Sequence, residues 1–154
     1  MLKLCRLAFA ATLAASFVGA ATPVWAGTPD EAKALADKAA ALIVAEGERA
    51  FPKINDPAGE FVQGDLFVAV LDKDVVVRAT GVNPKLIGVN MADAVDPDGF
   101  RFSHEAVRIA QAQGSGWITY RFTNPSSKKI EPKRTWVAKA GEFTVLCGAY
   151  VSQQ

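Results

Sequence analysis

Aromatic and basic side chains are concentrated in residues 116–137, the stretch of this chain best equipped to bind a ligand. Trp117 and Trp136, two of the three tryptophans in the sequence, lie here together with Tyr120 and several lysines and arginines. Aromatic walls with a few cations are what a pocket for a small anionic ligand needs. The same composition suits a core hairpin with solvated Lys and Arg side chains, and composition alone favours this second interpretation.

The sequence has few of the residues on which catalysis depends. His104, the single histidine, lies near the start of a predicted surface helix. Cys147 lies inside a predicted central strand, where a cysteine usually behaves as a small buried hydrophobic residue. A catalytic Cys–His pair would need the fold to bring these two distant residues together by coincidence. We therefore expect that the protein is not an enzyme.

Three aspartates lie close together in sequence, at Asp93, Asp96 and Asp98. They lack the alternating oxygen ligands and the terminal glutamate of an EF-hand calcium loop. The run Asp96-Pro97-Asp98-Gly99 has the residue types of a type I turn, which explains two of them without a metal. No glycine-rich phosphate loop precedes a predicted helix. The sequence thus predicts neither a metal site nor a cofactor.

The aromatic stretch is predicted to form two antiparallel strands around a polar loop at residues 124–129. Side chains alternate between the two faces of a strand. Tyr120 and Trp117 therefore face opposite sides, and both can line one pocket only if the strand twists or bulges. We favour Tyr120 over Trp117 as a pocket residue.

Three further strands complete a predicted antiparallel sheet. Residues 65–71, which include Phe67, and residues 75–79 form a hairpin around a tight turn at residues 72–74. Residues 143–150 form the closing strand. The first and last of these strands are apolar on both faces, which indicates that they lie centrally and are covered on both sides.

Two helices are predicted to pack against this sheet. The first begins with a capping box, in which Thr28 caps the helix and Glu31 lies three residues later, and it ends at Phe51-Pro52. The second covers residues 102–113. Between them, residues 80–95 are rich in turn residues yet apolar, so we expect this loop to form one wall of a pocket. The predicted fold class is α+β, with a long N-terminal helix on a five-stranded antiparallel sheet and a short helical insertion.

The first 26 residues have the pattern of a cleavable signal peptide. Lys3 and Arg6 precede an apolar run of about fifteen residues, and Val24-Trp25-Ala26 supplies small residues for cleavage after Ala26. The run is shorter than the roughly 20 residues of a typical membrane span. Residues 27–154 would then form a single mature domain. A retained membrane anchor is the alternative.

The mature chain carries a nearly balanced charge. Removing Lys3 and Arg6 leaves 15 basic residues against 16 acidic ones, a formal charge of −1. This balance gives no reason to expect nucleic acid as a partner. Cys147 is then the single cysteine, so no internal disulfide can form. An exported domain without disulfides fits the bacterial periplasm.

Several segments in a fixed order resemble the Cache domains, specifically single Cache domains of the second type. The segments are residues 82–90 (VNPKLIGVN), 96–102 (DPDGFRF), 116–125 (GWITYRFTNP), 131–137 (EPKRTWV) and 145–150 (VLCGAY). The resemblance extends over about residues 29–151. It implies a PAS-like sensor fold with a long N-terminal helix on one face of the sheet and a small-molecule pocket on the other. Such domains are mostly extracytoplasmic parts of chemoreceptors and histidine kinases, and many bind acetate, propionate, pyruvate or lactate.

The resemblance also implies a set of site residues. Tyr120, Lys133 and Trp136 stand where the family has a tyrosine, a lysine and an aromatic residue. Lys133 would give a carboxylate a charge-assisted hydrogen bond, and Tyr120 a neutral one. Trp136 or Trp117 would close the apolar end. A solvated Lys133 is the open alternative.

Two further candidates for the site are Phe67 and Thr80. Thr80 replaces a histidine common in the family, which would weaken or remove one polar contact. The chain is thus expected to be a periplasmic sensing module for a small organic acid. It would act through a separate membrane receptor or histidine kinase, because no membrane span follows residue 150. The alternative is a structural or assembly subunit whose pocket is filled by its own side chains.

Overall fold

The computed structural model describes residues 26–151, so the signal peptide predicted for residues 1–26 lies almost entirely outside the described residues. The fold is α+β, as predicted. The helices are α1 (Pro29–Glu46), α2 (Phe51–Asn55) and α3 (Phe102–Gln113). The strands are β1 (Val62–Gln63), β2 (Leu66–Leu71), β3 (Val77–Thr80), β4 (Ser115–Thr123), β5 (Ile130–Ala140) and β6 (Phe143–Tyr150). Within residues 26–151, no helix is both long enough and apolar enough to cross a membrane.

The strands form one antiparallel sheet in the order β3-β2-β6-β5-β4. The five predicted strands are present, and β1 adds a two-residue pairing with β2. The pairing of β2 with β6 joins the first hairpin to the second, for example at Val68 and Cys147. All residues of β6 are buried, in keeping with the prediction that this strand is central.

Helix α1 covers one face of the sheet and is fixed at its start by the predicted capping box. Thr28 Oγ1 accepts the Glu31 N–H at 3.2 Å, and Glu31 Oε2 accepts the Thr28 N–H at 2.8 Å. The buried face of the helix is rich in alanine, which lets the helix axis approach β5 and β6 closely. The buried residues are Ala32, Leu35, Ala36, Ala39, Ala40 and Ile43.

The predicted end of the first helix is wrong in one respect. Helix α1 ends at Glu46, and Gly47 adopts φ 63°, a left-handed conformation that favours glycine. The chain then continues through a 3₁₀ turn into α2, with Pro52 in its first turn. The backbone N–H groups of the first turn of a helix have no intrahelical acceptor, so proline, which lacks an N–H, fits there. Pro52 therefore begins a helix instead of ending one.

The other face of the sheet is covered by α3 and by the loop that precedes it. Phe102, Ile109 and Ala110 of α3 pack in one cluster with Ile118 and Val137 of the sheet. Val137 and its neighbour Ala138 belong to different clusters, because successive residues of a strand face opposite sides. The sheet therefore separates an α1 core from an α3 core.

Asp96 fixes the loop between β3 and α3. The predicted turn is present, with the Gly99 N–H donating to the Asp96 carbonyl at 2.9 Å. The Asp96 carboxylate accepts the N–H groups of Phe100 at 2.9 Å, Asp98 at 3.0 Å and Arg121 at 3.1 Å. These donors, Phe100 first, lower the pKa of Asp96 against the opposing effect of burial. Asp96 thus ties the loop to β4.

Gly148 lets β5 and β6 pair closely. It pairs with Thr135, and a Cβ at position 148 would lie 2.1 Å from Thr135 Oγ1 and 2.9 Å from the Arg134 carbonyl oxygen. We predict that Gly148→Ala lowers the free energy of unfolding by about 1–3 kcal/mol, measured by urea denaturation, because this site has no room for a methyl group. Adding Thr135→Ala should recover part of the loss. An unchanged stability in the single variant would contradict the close approach.

Candidate functional site

A cavity of about 460 Å³ lies on the sheet face opposite α1. Its floor comes from β2, β4, β5 and β6, one side comes from Phe102 and Ser103 of α3, and another comes from the loop after β3 through Val82, Leu86 and Met91. The expectation that this loop forms a pocket wall is confirmed. The volume suits a small organic molecule.

Strand alternation explains which side chains reach the cavity. Phe67, Ala69 and Leu71 of β2 line it, as do Lys133 and Thr135 of β5, and each set is spaced by two residues. On β4 the lining residues Tyr120 and Phe122 follow the same spacing, and Thr123 at the end of the strand lines the cavity as well. Sheet faces of this kind are normally filled by apolar residues, so the lysine among them is the unusual member.

Lys133 is buried within a group of aromatic rings. The residue is 2% exposed. Its Nζ lies 3.6 Å from the ring centroid of Phe67, 4.8 Å from that of Tyr150 and 5.6 Å from that of Phe122. Cation–π contacts of this kind are worth about 0.5–2 kcal/mol. They hold the ammonium in place without supplying a counter-charge.

The charge of Lys133 is not neutralised by a direct ion pair. Among residues 26–151, no carboxylate forms a salt bridge with its ammonium. Burial lowers the pKa of Lys133 to about 7, and the nearby groups Cys147 and Asp65 oppose this shift. Loss of hydration outweighs these opposing effects, so near neutral pH the side chain lies close to its titration midpoint.

The wall of the cavity is electropositive. Two lysines, Lys133 and Lys128, contribute to it, and none of the described residues that line it is an aspartate or glutamate. Most of the remaining lining is apolar or aromatic. An anion would therefore find a favourable potential inside, whereas a cation would meet an unfavourable one.

Tyr120 supplies a neutral hydroxyl beside Lys133. The two residues pair directly in the β4–β5 register, which places their Cβ atoms roughly 4.5–5.5 Å apart on one face. The Tyr120 ring stacks on Phe102 with centroids 4.4 Å apart. Its oxygen accepts the Thr135 hydroxyl at 3.4 Å. Burial raises the pKa of Tyr120 to about 12, so it stays protonated at neutral pH and can act as a donor.

Four of the six candidate residues meet at the cavity: Phe67, Thr80, Tyr120 and Lys133. Thr80 is 2% exposed, and its backbone N–H donates to Asn55 Oδ1 at 2.8 Å, which ties the cavity edge to α2. Their role in ligand binding remains a prediction.

Trp117 and Trp136 lie outside the cavity, so the expectation that one of them closes its apolar end is wrong. Trp136 packs against the α1 core, and its Nε1 donates to Asp37 Oδ1 of α1 at 2.8 Å. Trp117 packs edge-on against Trp136, with ring centroids 5.0 Å apart. The reason is alternation: residue 136 is three positions from Lys133 and must face the opposite side.

The best catalytic candidates are kept apart by the sheet. Cys147 is 1% exposed and packs in the α1 core, whereas His104 is exposed on α3, on the other side. Burial raises the pKa of the Cys147 thiol to about 12, so it remains protonated. These two residues form no nucleophile–base pair.

Some site residues were not predicted as such. Phe122 shares the face of Tyr120, so alternation could have identified it. Tyr150 could not be placed beside Lys133 until the β5–β6 register was known, since that register pairs the two residues directly. The Tyr150 hydroxyl donates to the Thr123 carbonyl at 2.8 Å, which fixes its ring beside the Lys133 ammonium.

Comparison with known families agrees with this architecture. The family described as Single Cache domain 2 matches residues 26–153. This chain belongs to that family. The predicted Cache resemblance and the PAS-like fold, with a helix on one sheet face and a cavity on the other, are thereby confirmed. As a Cache domain, the protein is a sensor domain.

Several solved structures share the fold. A periplasmic sensor domain of a chemotaxis protein is 25% identical, with a TM-score of 0.68 and coverage of 80% of this chain and 95% of that one. A methyl-accepting chemotaxis protein from Vibrio parahaemolyticus is 17% identical, with a TM-score of 0.69 and coverage of 80% and 88%. A Cache chemosensory domain solved to explain carboxylic acid recognition is 23% identical, with a TM-score of 0.61 and the same coverage of 80% and 88%.

The position of Trp136 yields a stability prediction. Trp136→Phe keeps a ring against α1 but removes the N–H that binds Asp37 and part of the surface under Lys33 Nζ, which lies 4.4 Å from the ring centroid. We expect the free energy of unfolding to fall by about 1 kcal/mol in urea denaturation, the usual net worth of one hydrogen bond. Asp37→Ala should cost a similar amount and should not add to the loss in the double variant. Fully additive losses would contradict the contact.

Proposed function

We propose that this Cache domain is a periplasmic sensor for a small organic carboxylate and that a separate membrane receptor or histidine kinase reads its ligand state. The observation that supports the ligand class is Lys133, a buried ammonium without an ion-pair partner in the described chain. It faces a cavity whose described lining contains no carboxylate.

The energetics of Lys133 favour an anionic ligand. Removing an ammonium from water costs several kcal/mol unless an opposite charge and hydrogen bonds compensate. The aromatic rings offset part of this cost, and the lowered pKa of Lys133 shows that a substantial part remains. A carboxylate in the cavity would restore a charge-assisted hydrogen bond to Nζ. The folded protein thus presents a buried ammonium with which an anionic ligand could form an ion pair.

The surroundings of Lys133 favour a short acid. Tyr120, paired directly with Lys133, can donate to the second carboxylate oxygen, so the two side chains would fix the orientation of the head group. Beyond them the wall is largely apolar, with Leu71, Val77 and Met91. This division between a polar end and an apolar chamber matches a small aliphatic acid.

The setting is inferred from the signal-peptide pattern and from the relatives. One relative is a periplasmic sensor domain of a chemotaxis protein, and another is a Cache domain that recognises carboxylic acids. Their roles motivate the proposed compartment and partner. The ligand class is argued from Lys133 and Tyr120 themselves. The alternative of a self-filled pocket is disfavoured by the open cavity and by the placement of Tyr120 and Trp136 on opposite faces of the sheet.

A screen of C2–C4 carboxylic acids by thermal shift and calorimetry tests the ligand class. A bound acid should stabilise the fold by about 2.7 kcal/mol at a concentration 100 times its Kd. The matching amides and methyl esters, which have a similar size but no charge, serve as controls. An absence of stabilisation by every acid at millimolar concentration would overturn the proposal.

Lys133→Met should separate binding from stability. Methionine fills a similar volume without a charge, so acid affinity should fall at least thirtyfold. The unliganded protein should become more stable by about 1–4 kcal/mol, as when other buried charges are replaced by apolar residues. The gain should be greatest below pH 7 and fade towards pH 10, because the cost of burying the charge is present below the folded pKa and vanishes above the unfolded one. Lys139→Met, an exposed change on the same strand, should alter neither property.

Acid binding should weaken as pH rises through neutrality. With the pKa of Lys133 lowered to about 7, the ammonium fraction of the free protein falls about tenfold from pH 6 to pH 8, and Kd should rise by a similar factor. The acids themselves stay ionised throughout, and bound carboxylate keeps Lys133 protonated. Titration calorimetry at several pH values measures this. Tyr120→Phe should weaken binding yet keep the same profile, since Tyr120 does not titrate in this range. A flat profile in the wild type would contradict the role of Lys133.

A further inference from the structure

A second buried charge lies immediately before β2. Asp65, the residue before this strand, is 3% exposed. Its Oδ1 accepts the backbone N–H of Gly27 at 2.8 Å. In the part of the chain from 26 to 151, no lysine or arginine side chain forms a salt bridge with Asp65. Apart from the more distant Lys133 ammonium, one neutral N–H is weak compensation for a carboxylate removed from water.

The position of Gly27 is sterically restricted to glycine. A Cβ at this residue would lie 2.2 Å from Cγ of Leu66 and within 2.6 Å of both of its methyl carbons. Leu66 is itself 3% exposed and belongs to the α1 core. Ala26, immediately before Gly27, is exposed. The chain is therefore exposed at Ala26 and closely packed at Gly27, and the Gly27 nitrogen donates to Asp65.

The predicted signal-peptide cleavage falls at the same bond. We propose that cleavage between Ala26 and Gly27 creates an α-ammonium group that forms a partly buried ion pair with Asp65. In the hydrolysis the C–N bond breaks, and water gives its hydroxyl to the Ala26 carbonyl carbon and a proton to the Gly27 nitrogen. The amine then takes a second proton, released by the new Ala26 carboxyl group. The amide donor of the precursor becomes a cation at the distance of a charge-assisted hydrogen bond.

The position next to α1 makes this counter-charge necessary. Gly27 precedes Thr28, the N-cap of α1, and a positive charge at a helix N-terminus is opposed by the helix dipole. Asp65 offsets that repulsion from one side. The Glu31 carboxylate, which accepts the Thr28 N–H at 2.8 Å, offsets it from the other. The new N-terminus is thereby held against the sheet by electrostatic attraction as well as by its close packing against Leu66.

Intact-mass analysis of the full precursor exported to the periplasm of a bacterial host tests the cleavage site. The mature protein should begin at Gly27. A different first residue, or an uncleaved chain, would overturn the proposal.

The ion pair is tested by moving the α-ammonium group one residue away from its position beside Asp65. Residues 26–151 contain both cores, so chains that begin at Gly27 or at Ala26 can be released from a fusion and compared. The Ala26 chain keeps the Gly27 N–H but shifts the ammonium by about 3.8 Å, the spacing of adjacent Cα atoms. Its Tm should be lower by roughly 3–6 °C. Asp65→Asn should lower the Tm of the Gly27 chain and abolish the difference between the two chains.

Two results would contradict the ion pair: equal Tm values for the two wild-type chains, or an undiminished difference in the Asp65→Asn background. The comparison of the wild-type chains needs no substitution, so it decides the question even if Asp65→Asn does not fold. Acid binding by the two chains is a separate measurement and does not enter this test.

Discussion

Burial of the Lys133 ammonium is the constraint on which the architecture of the site depends. The side chain projects from β5 into a space bounded by Phe67, Phe122 and Tyr150, each from a different strand. Those three rings come together only when β2, β4, β5 and β6 hold the observed register. The cavity is consequently a property of the whole sheet, since no single hairpin contains its walls.

The two faces of the sheet divide the tasks of stability and binding. On the α1 side, alanines and aliphatic residues pack densely, and the tryptophan pair extends that packing towards Asp37. On the α3 side, packing is complete near α3 and gives way to the cavity beside Lys133. A domain that carries a buried cation needs such a reserve of apolar contact elsewhere, because folded proteins are stable by only about 5–15 kcal/mol.

Much of the fold could be predicted from the sequence because its signals are local. The capping box at Thr28, the alternation in the strands and the turn at Asp96 each specify their own geometry within a few residues. The end of the first helix was mispredicted at Pro52, because proline both ends and begins helices and its role depends on the conformation of the residues after it.

The site was predictable only in part, because the register between strands could not be derived from the sequence. Tyr120 and Lys133 were placed at the cavity by family correspondence, and their direct pairing in the structure agrees with that placement. Trp136 was misplaced although its three-residue distance from Lys133 already implied the opposite face. Tyr150 and Asp65 were missed because their proximity to Lys133 comes from strands and loops far apart in the chain.

Asp65 affects the balance of buried charge in the domain. Its carboxylate lies near enough to Lys133 to favour the protonated lysine, while its oxygen is bound to the Gly27 nitrogen. With a charged terminus at Gly27 and a protonated Lys133, the single Asp65 carboxylate would stand against two cations. A carboxylate bound in the cavity would supply the second anion. Under the proposed function, an acid ligand would therefore balance the buried charges that Asp65 alone leaves unbalanced.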